Sequence, residues 1–442
     1  MYKAFGIVNS SSRNIRVEGL EDYRPIGAFS FLGRYRMVDF PISNLSNSGI
    51  DRIQVYVKEK PRTLVSHIGT GRHYNINSKS GRLQILFTDS DQRNNIYNTD
   101  IASYYENMEC IEEMHHPYVV ITPDYMVYTA DFSKLIEQHI QSEADITLLY
   151  HAVDNAKDAY LNCNILNLNK QKGVLSIEPN HGNAKNRNIF MDTYIMKKDL
   201  FIELIRKAKA ISSAFTLADI INELHNELDV RGVSHRGFFA SITDFQSYYD
   251  ANMDLIDIKA AQTLFDPEWP IYTKTNDSCP TQYLEGASVK NSVISNGCLI
   301  EGTVENSVIG RGCQIKAGAV IKNSVVLSHT VVGENAHLEN QVMDKWAKVI
   351  HGNEIIAEEG HPGYIALWQH ILSVSIEDLK KNYDKLDVHF DLWKGESDAQ
   401  PYIKDMVDKM VEDGIAYESQ GATVVDIAEP TDTKELPPCI VR

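Results

Sequence analysis

The chain has 442 residues, 43% of them hydrophobic and 23% charged, and its 43 basic and 60 acidic side chains give a formal net charge of −17 at pH 7. That length is enough for a sizeable core in two or three domains, while the acidic balance argues against nucleic acid as a partner; a phosphate site, which needs only a few local cations, stays open. The six cysteines are scattered without a CxxC pair, and no apolar run forms a leader or nears the roughly 18 residues of a membrane span, so a cytoplasmic chain with reduced thiols and no membrane contact is expected.

From residue 1 to 272, short apolar runs alternate with amphipathic stretches, the pattern of an α/β domain with helices on both faces of a mostly parallel sheet. Buried strands are predicted at 4–8, 52–57, 118–123 and 146–153, and helices at 132–140 and 217–228. Ligands in such sheets sit beyond the strand carboxyl ends, which puts the NSSSRN loop (9–14) and Asp124 on one rim. Residues 273–288 read as a linker. Between 289 and 364 the texture changes to paired apolar residues with Gly and Asn spacers. Ile309, Ile315 and Ile321 are six apart, as are Val326, Val332 and Leu338, with five-residue steps elsewhere. This internal repeat predicts hexapeptide coils stacked into a β-helix, with Gly and Asn giving the corners their backbone freedom. The remaining segment, 365–442, reads as a short α+β tail: helices at 375–386, capped by Ser375, and at 400–414, then a strand or hairpin at 416–427.

Four motifs carry a specific resemblance: RYRMVDFPISNLSNSGI (34–50), TLVSHIGTGRHYN (63–75), YYDANMDLI (248–256) and WPIYT (269–273). With them, residues 1–272 resemble the catalytic domain of bacterial ADP-glucose pyrophosphorylase, glucose-1-phosphate adenylyltransferase, and residues 281 to about 350 resemble its left-handed β-helix. The resemblance implies a Rossmann-like nucleotidyltransferase domain and the reaction of ATP with glucose 1-phosphate to ADP-glucose and pyrophosphate, in glycogen biosynthesis.

It also implies where the reaction groups should stand, and those places are altered. The family's glycine-rich triphosphate loop aligns with Ser11, Ser12, Arg13, Asn14, Ile15 and Arg16, keeping both arginines but no glycine. A backbone cradle for phosphate needs residues without Cβ atoms. The lysine of its Lys-Pro-Ala motif becomes Ile26, a loss of several kcal/mol of charge stabilisation for phosphoryl transfer. Of two magnesium-chelating aspartates, Asp124 remains and Ser241 replaces the other; one carboxylate is a poor anchor for an ion that keeps octahedral geometry and dehydrates reluctantly. Sugar-phosphate motifs become Glu178-Pro179 and Thr99-Asp100-Ile101-Ala102. Arg24 and Arg36 match family positions that grip effector phosphates, with Tyr23 and Ser30 where Lys and His are common. For Arg36 a salt bridge to Asp39 is an equally simple reading.

The pattern resembles the GlgD-type subunit, implying a regulatory subunit without catalysis of its own, no bound cofactor, magnesium only through a catalytic partner subunit, and a phosphorylated sugar or nucleotide as effector. Two alternatives stand beside it. One is an active nucleotidyltransferase with a rearranged site built from Arg13, Arg16, Asp124 and Asp244. The other is a hexapeptide acyltransferase using His329 or His337 as a base. The tail from about 365 resembles an internal piece of arginyl-tRNA synthetase without its HIGH or KMSKS motifs, which implies a chimera with no aminoacylation.

Overall fold

The computed structural model describes residues 3–9, 15, 17, 19–77, 79, 81–88, 97–349, 354–357 and 363–364, together with 406–407, 409–419, 422–425 and 439–440. The chain divides into two compact units, 1–372 and 373–442.

The first unit opens on Ala4–Asn9, whose AFGIVN run is buried nearly throughout because it lies in the middle of a nine-stranded sheet. It pairs in parallel with Arg52–Val57 and with Tyr118–Pro123, and Arg82–Phe87 extends the sheet on the Arg52–Val57 side. Strands covered on both faces read as continuous apolar runs, which is why these were visible in the sequence. Gly6 permits the close approach of helix Asp39–Asn47: a Cβ there would lie 2.7 Å from a Leu45 methyl. The sheet is mixed beyond Tyr118–Pro123. Arg187–Lys197 runs antiparallel to it and to Ile146–Val153, which pairs in parallel with Val230–Ser234. A register shift between Phe190 and Tyr194 leaves Asp192 at φ 42°, a bulge that turns its carboxylate toward the rim at Tyr125.

Helix Phe132–Ser142 starts where Asp131 accepts from the amides of Ser133 and Lys134. Helix Leu217–Glu223 starts on a Thr216–Asp219 capping box and ends five residues before the apolar spacing suggests. Leu224 is buried in the turn that follows, where the chain swings so that Asp229 can accept from the amides of Asp145 and Ile146.

The β-helix has three parallel faces of five strands each. Its inward residues Ile309, Ile315, Ile321, Val326, Val332, Leu338, Met343 and Val349 advance by six, six and five, and all are buried in one apolar cluster. The predicted linker is shorter than expected, since Gln282–Tyr283 already pairs with Leu299–Ile300 as the first strand of one face. Asn291, Asn306, Asn323 and Asn340 occupy left-handed corners at φ 41°, 44°, 45° and 55°, and the amide of Asn291 donates to Asn306 at 2.7 Å, stacking one corner on the next.

The third face packs against the sheet domain: Val308, Val325, Val342 and Leu327 share a core with Val38, Met37 and Tyr249, and the Tyr249 hydroxyl donates to the Asn323 carbonyl at 2.6 Å. Gly33 (φ 66°) completes the joint. A Cβ there would stand 2.5 Å from the Ser295 hydroxyl and 2.8 Å from the Ile309 carbonyl, so this contact requires glycine.

In the second unit, residues 406–407 and 409–412 are helical and Ala416–Ser419 pairs antiparallel with Ala422–Val425, the predicted hairpin. Cys439–Ile440 adds a third strand to it. The helix predicted at 375–386 lies outside the described residues.

Candidate functional site

The carboxyl-end rim of the sheet is where nucleotide chemistry would be sought, and its polar groups are built into the fold there. Asp124 follows strand Tyr118–Pro123, is 2% exposed, and donates its backbone amide to Asn9. The short 3-10 turn Ile26–Ala28 lies directly over it: a Cβ on Gly27 would be 2.5 Å from the Asp124 Oδ2. Ile26 and Ile15 are buried in the same apolar core as Tyr125 and Met126. Ser241 is also buried and accepts from the thiol of Cys163 at 3.3 Å, with burial pushing that thiol up to about 12. The Tyr125 hydroxyl donates to the Asp192 carboxylate.

Other rim carboxylates are used in the same way. Asp244 caps helix Phe245–Asp254, accepting from the Ser247 amide at 2.7 Å, so the acid of the rearranged-site alternative has a structural task. Asp100, within the helix that Thr99 caps, accepts from the amides of Ile101 and Leu217 and so ties two helices together. The Lys58 ammonium, half-buried nearby, donates to the Asn98 carbonyl at 2.9 Å; desolvation lowers it, against the pull of Asp100 and Asp124.

Among the described residues no group of three or more His, Cys, Asp or Glu is arranged to hold a metal ion. The residues at Asp124 and Ser241 do not fit magnesium: one carboxylate is backed by the Gly27 main chain, and a thiol-bonded hydroxyl stands in the other place. Arg13 and Arg16 lie outside the described residues.

A different kind of site lies at the joint between sheet domain and β-helix. A cavity of about 480 Å³ is lined by Arg34, Arg36, His67, Lys274, Arg311, His329 and Lys345, with Ser30, Ser66 and Trp346, and among the described residues no acidic side chain is part of its lining. In a chain of net charge −17 this is a strong local inversion. Arg36 is held in place by its Nη1, which donates to the Ala28 carbonyl at 2.6 Å and to Ser30 Oγ at 3.0 Å, and the guanidinium carries further donors beyond these two. Burial, and then the proximity of Arg24, push it down to about 10. Burial, followed by Arg36 and Arg24, pushes the Lys345 ammonium down to about 6, and Arg311 is lowered by burial and by Arg34. Cations that depress one another in a partly dry pocket are in deficit of an anion. One wall is aromatic, with the His329 imidazole stacked on the Trp346 indole at 4.3 Å and 14°.

The expected residues take unequal places. Arg36 lines the cavity; the salt bridge to Asp39 is not made, because only its backbone amide donates to that carboxylate, which also accepts from His67 and Tyr74. Arg24 lies behind the cavity, bonded to Asp344 across the joint. Ser30 lines the cavity, whereas Tyr23 is half exposed away from that lining. His329 is committed to its Trp346 stack, and His337 lies 3.5 Å from Glu339 on a coil face. Sequence reasoning missed Arg34, His67, Lys274, Arg311 and Lys345. A signal existed in the repeat, where Arg311, His329 and the Lys345–Trp346 pair stand at corner positions that elsewhere carry Asn or Gly; Trp346 and His329 both have φ 64°.

Comparison with known families matches residues 16–258, more than half of the chain, to the nucleotidyl transferase family, residues 280–361 to the GlmU-like C-terminal hexapeptide family, and residues 337–442 to the catalytic domain of class I (R) tRNA synthetases. Among curated proteins the chain is 29% identical over 346 residues to a glucose-1-phosphate adenylyltransferase of Fervidobacterium nodosum, covering 78% of this chain and 83% of the relative. A protein of the same name from Clostridium perfringens is 30% identical over 310 residues, 69% of this chain and 78% of the relative. One from Bacillus anthracis is 26% identical over 365 residues, 81% and 94%.

Proposed function

Because the chain belongs to the glucose-1-phosphate adenylyltransferase family of nucleotidyl transferases, we propose that it acts as the regulatory, non-catalytic subunit of an ADP-glucose pyrophosphorylase, assembled with a catalytic partner subunit that supplies the magnesium-dependent transfer. The observation that carries this reading is the occupied rim. Asp124 is roofed by Gly27, Ser241 is bonded to a buried thiol, and Ile15 and Ile26 fill the space with apolar side chains. Adenylyl transfer needs cations and preorganised donors against the developing charge, and these groups supply none.

The regulatory half of the reading is supported by the cationic cavity at the joint, which suits a phosphorylated sugar or a nucleotide as effector. Arg36 is its main phosphate contact, with Arg24 acting from behind. The arrangement offers Arg and Lys donors on opposite walls, one from the sheet domain and one from the β-helix, so an anion bound between them favours one relative setting of the two.

Co-expression with a catalytic subunit tests the proposal. The two chains are expected to co-elute on size exclusion, and the complex to differ from the catalytic subunit alone in its saturation by ATP and glucose 1-phosphate. Separate elution with unaltered kinetics would remove the regulatory reading. The alternative, an active transferase with a rearranged site, predicts ADP-glucose formation by this chain alone.

A further inference from the structure

The cationic joint contains one carboxylate placed where an anion from outside would compete with it. Asp344 sits at a corner of the β-helix, 5% exposed, and its Oδ1 accepts from Arg24 Nη2 at 2.5 Å, joining residues 320 positions apart across the two domains. The same oxygen accepts from the backbone amide of Lys345 at 2.7 Å, and the Asp344 carbonyl accepts from Thr330 at 2.9 Å, so the corner is fixed. Arg24 is 7% exposed, and its Nε has no hydrogen-bond partner among the described residues. A guanidinium that deep, making one strong bond from a fork of five donors, is incompletely satisfied. Lys345, next in the chain, reaches the cavity that Arg36 also lines.

We propose that Asp344 is an internal stand-in for the effector's phosphate: it holds Arg24 across the joint when the cavity is empty, and a phosphate or sulfate entering beside Lys345 and Arg36 takes Arg24 from it. This deepens the effector reading above and rests on it. Its physical basis is charge balance. Arg24 is paired with Asp344, Arg36 carries its charge close to Arg24 and Lys345 can take up a proton beside them, so a second anion is attracted to the site while being repelled by Asp344 itself. Asp344 therefore sets the affinity of the cavity, raising the concentration at which it fills, and its release from Arg24 is the event by which occupancy alters the joint.

The test uses the full chain with sulfate, at fixed ionic strength, followed by calorimetry and by thermal unfolding. Wild type is expected to bind sulfate and Arg36→Ala to lose it by at least tenfold. Asp344→Asn, which keeps the side chain's shape, is expected to bind at least tenfold more tightly than wild type. Arg24→Gln, which leaves Asp344 uncompensated beside the cavity, is expected to bind at least tenfold more weakly, and it decides the matter if Asp344→Asn does not fold. Sulfate binding that Arg36→Ala abolishes, with Asp344→Asn equal to or weaker than wild type, overturns the stand-in while keeping the effector site. Arg24→Gln binding like wild type does the same. No sulfate binding by wild type or by Asp344→Asn overturns the effector reading, and the stand-in with it.

Discussion

The rim of the sheet and the joint between the domains both carry charged groups at loop ends, and they use them in opposite ways. The rim acids named above are built into the fold: Asp244 and Asp100 at helix starts, Asp124 close beneath Gly27, Asp192 bonded to Tyr125. At the joint the cations outnumber their partners, and Lys345, Arg36 and Arg311 are each held below their ordinary range. A rim whose charges are spent on structure has little left for chemistry, whereas a joint with unspent charge is suited to an anion.

The comparison breaks most visibly if charge is put back into the rim. Ser241→Asp adds a carboxylate beside Cys163 in a place that is 3% exposed, and it is expected to lower the unfolding free energy by roughly 3–5 kcal/mol, the cost of an uncompensated buried charge. The denaturant midpoint reads this. Unchanged stability together with acquired manganese binding would mean an open, chelating rim.

Gly27→Ala probes the same roof sterically. The new Cβ meets the Asp124 carboxylate at 2.5 Å, and a loss of about 1–3 kcal/mol is expected from overpacking. A neutral substitution would mean that the turn and Asp124 separate readily.

At the joint the expected effect is on binding and its pH dependence. Lys345 has a folded value of about 6 against an ordinary 10.5, so between those values the unfolded chain holds a proton that the folded chain lacks, and stability falls as pH drops from 10.5 to 6. A bound anion returns the proton to Lys345. Sulfate, which does not titrate in this range, is therefore expected to bind about tenfold more tightly at pH 6 than at pH 8, and Lys345→Met is expected to flatten that slope and to raise the thermal midpoint in the absence of sulfate. His329 also lines the cavity, so a slope that persists in Lys345→Met would assign the linkage to it.

How much of this was legible beforehand depends on how local each feature is. Strands Tyr118–Pro123 and Ile146–Val153 were found to the residue because both their faces are covered and the signal is a simple apolar run. The coil periodicity was legible for the same reason, each inward residue reporting its own position. The end of helix Leu217–Glu223 was not, since Leu224 is buried by a turn that apolar spacing reads as more helix. The altered rim could be read as substitutions, but not that Gly27 roofs Asp124 or that Cys163 bonds Ser241; these are contacts between distant segments. The joint was legible only at Arg36, because its other basic residues come from positions 34, 67, 274, 311 and 345 and meet only when the third face of the β-helix docks.

Pyrophosphorolysis of ADP-glucose, read as label passing from pyrophosphate into newly formed ATP, asks whether the rim still performs transfer. The purified chain, incubated alone with ADP-glucose, labelled pyrophosphate and magnesium, is predicted to give no labelled ATP above a protein-free blank, while an active glucose-1-phosphate adenylyltransferase under the same conditions forms it. Labelled ATP from this chain alone, lost in Asp124→Asn, would contradict the account.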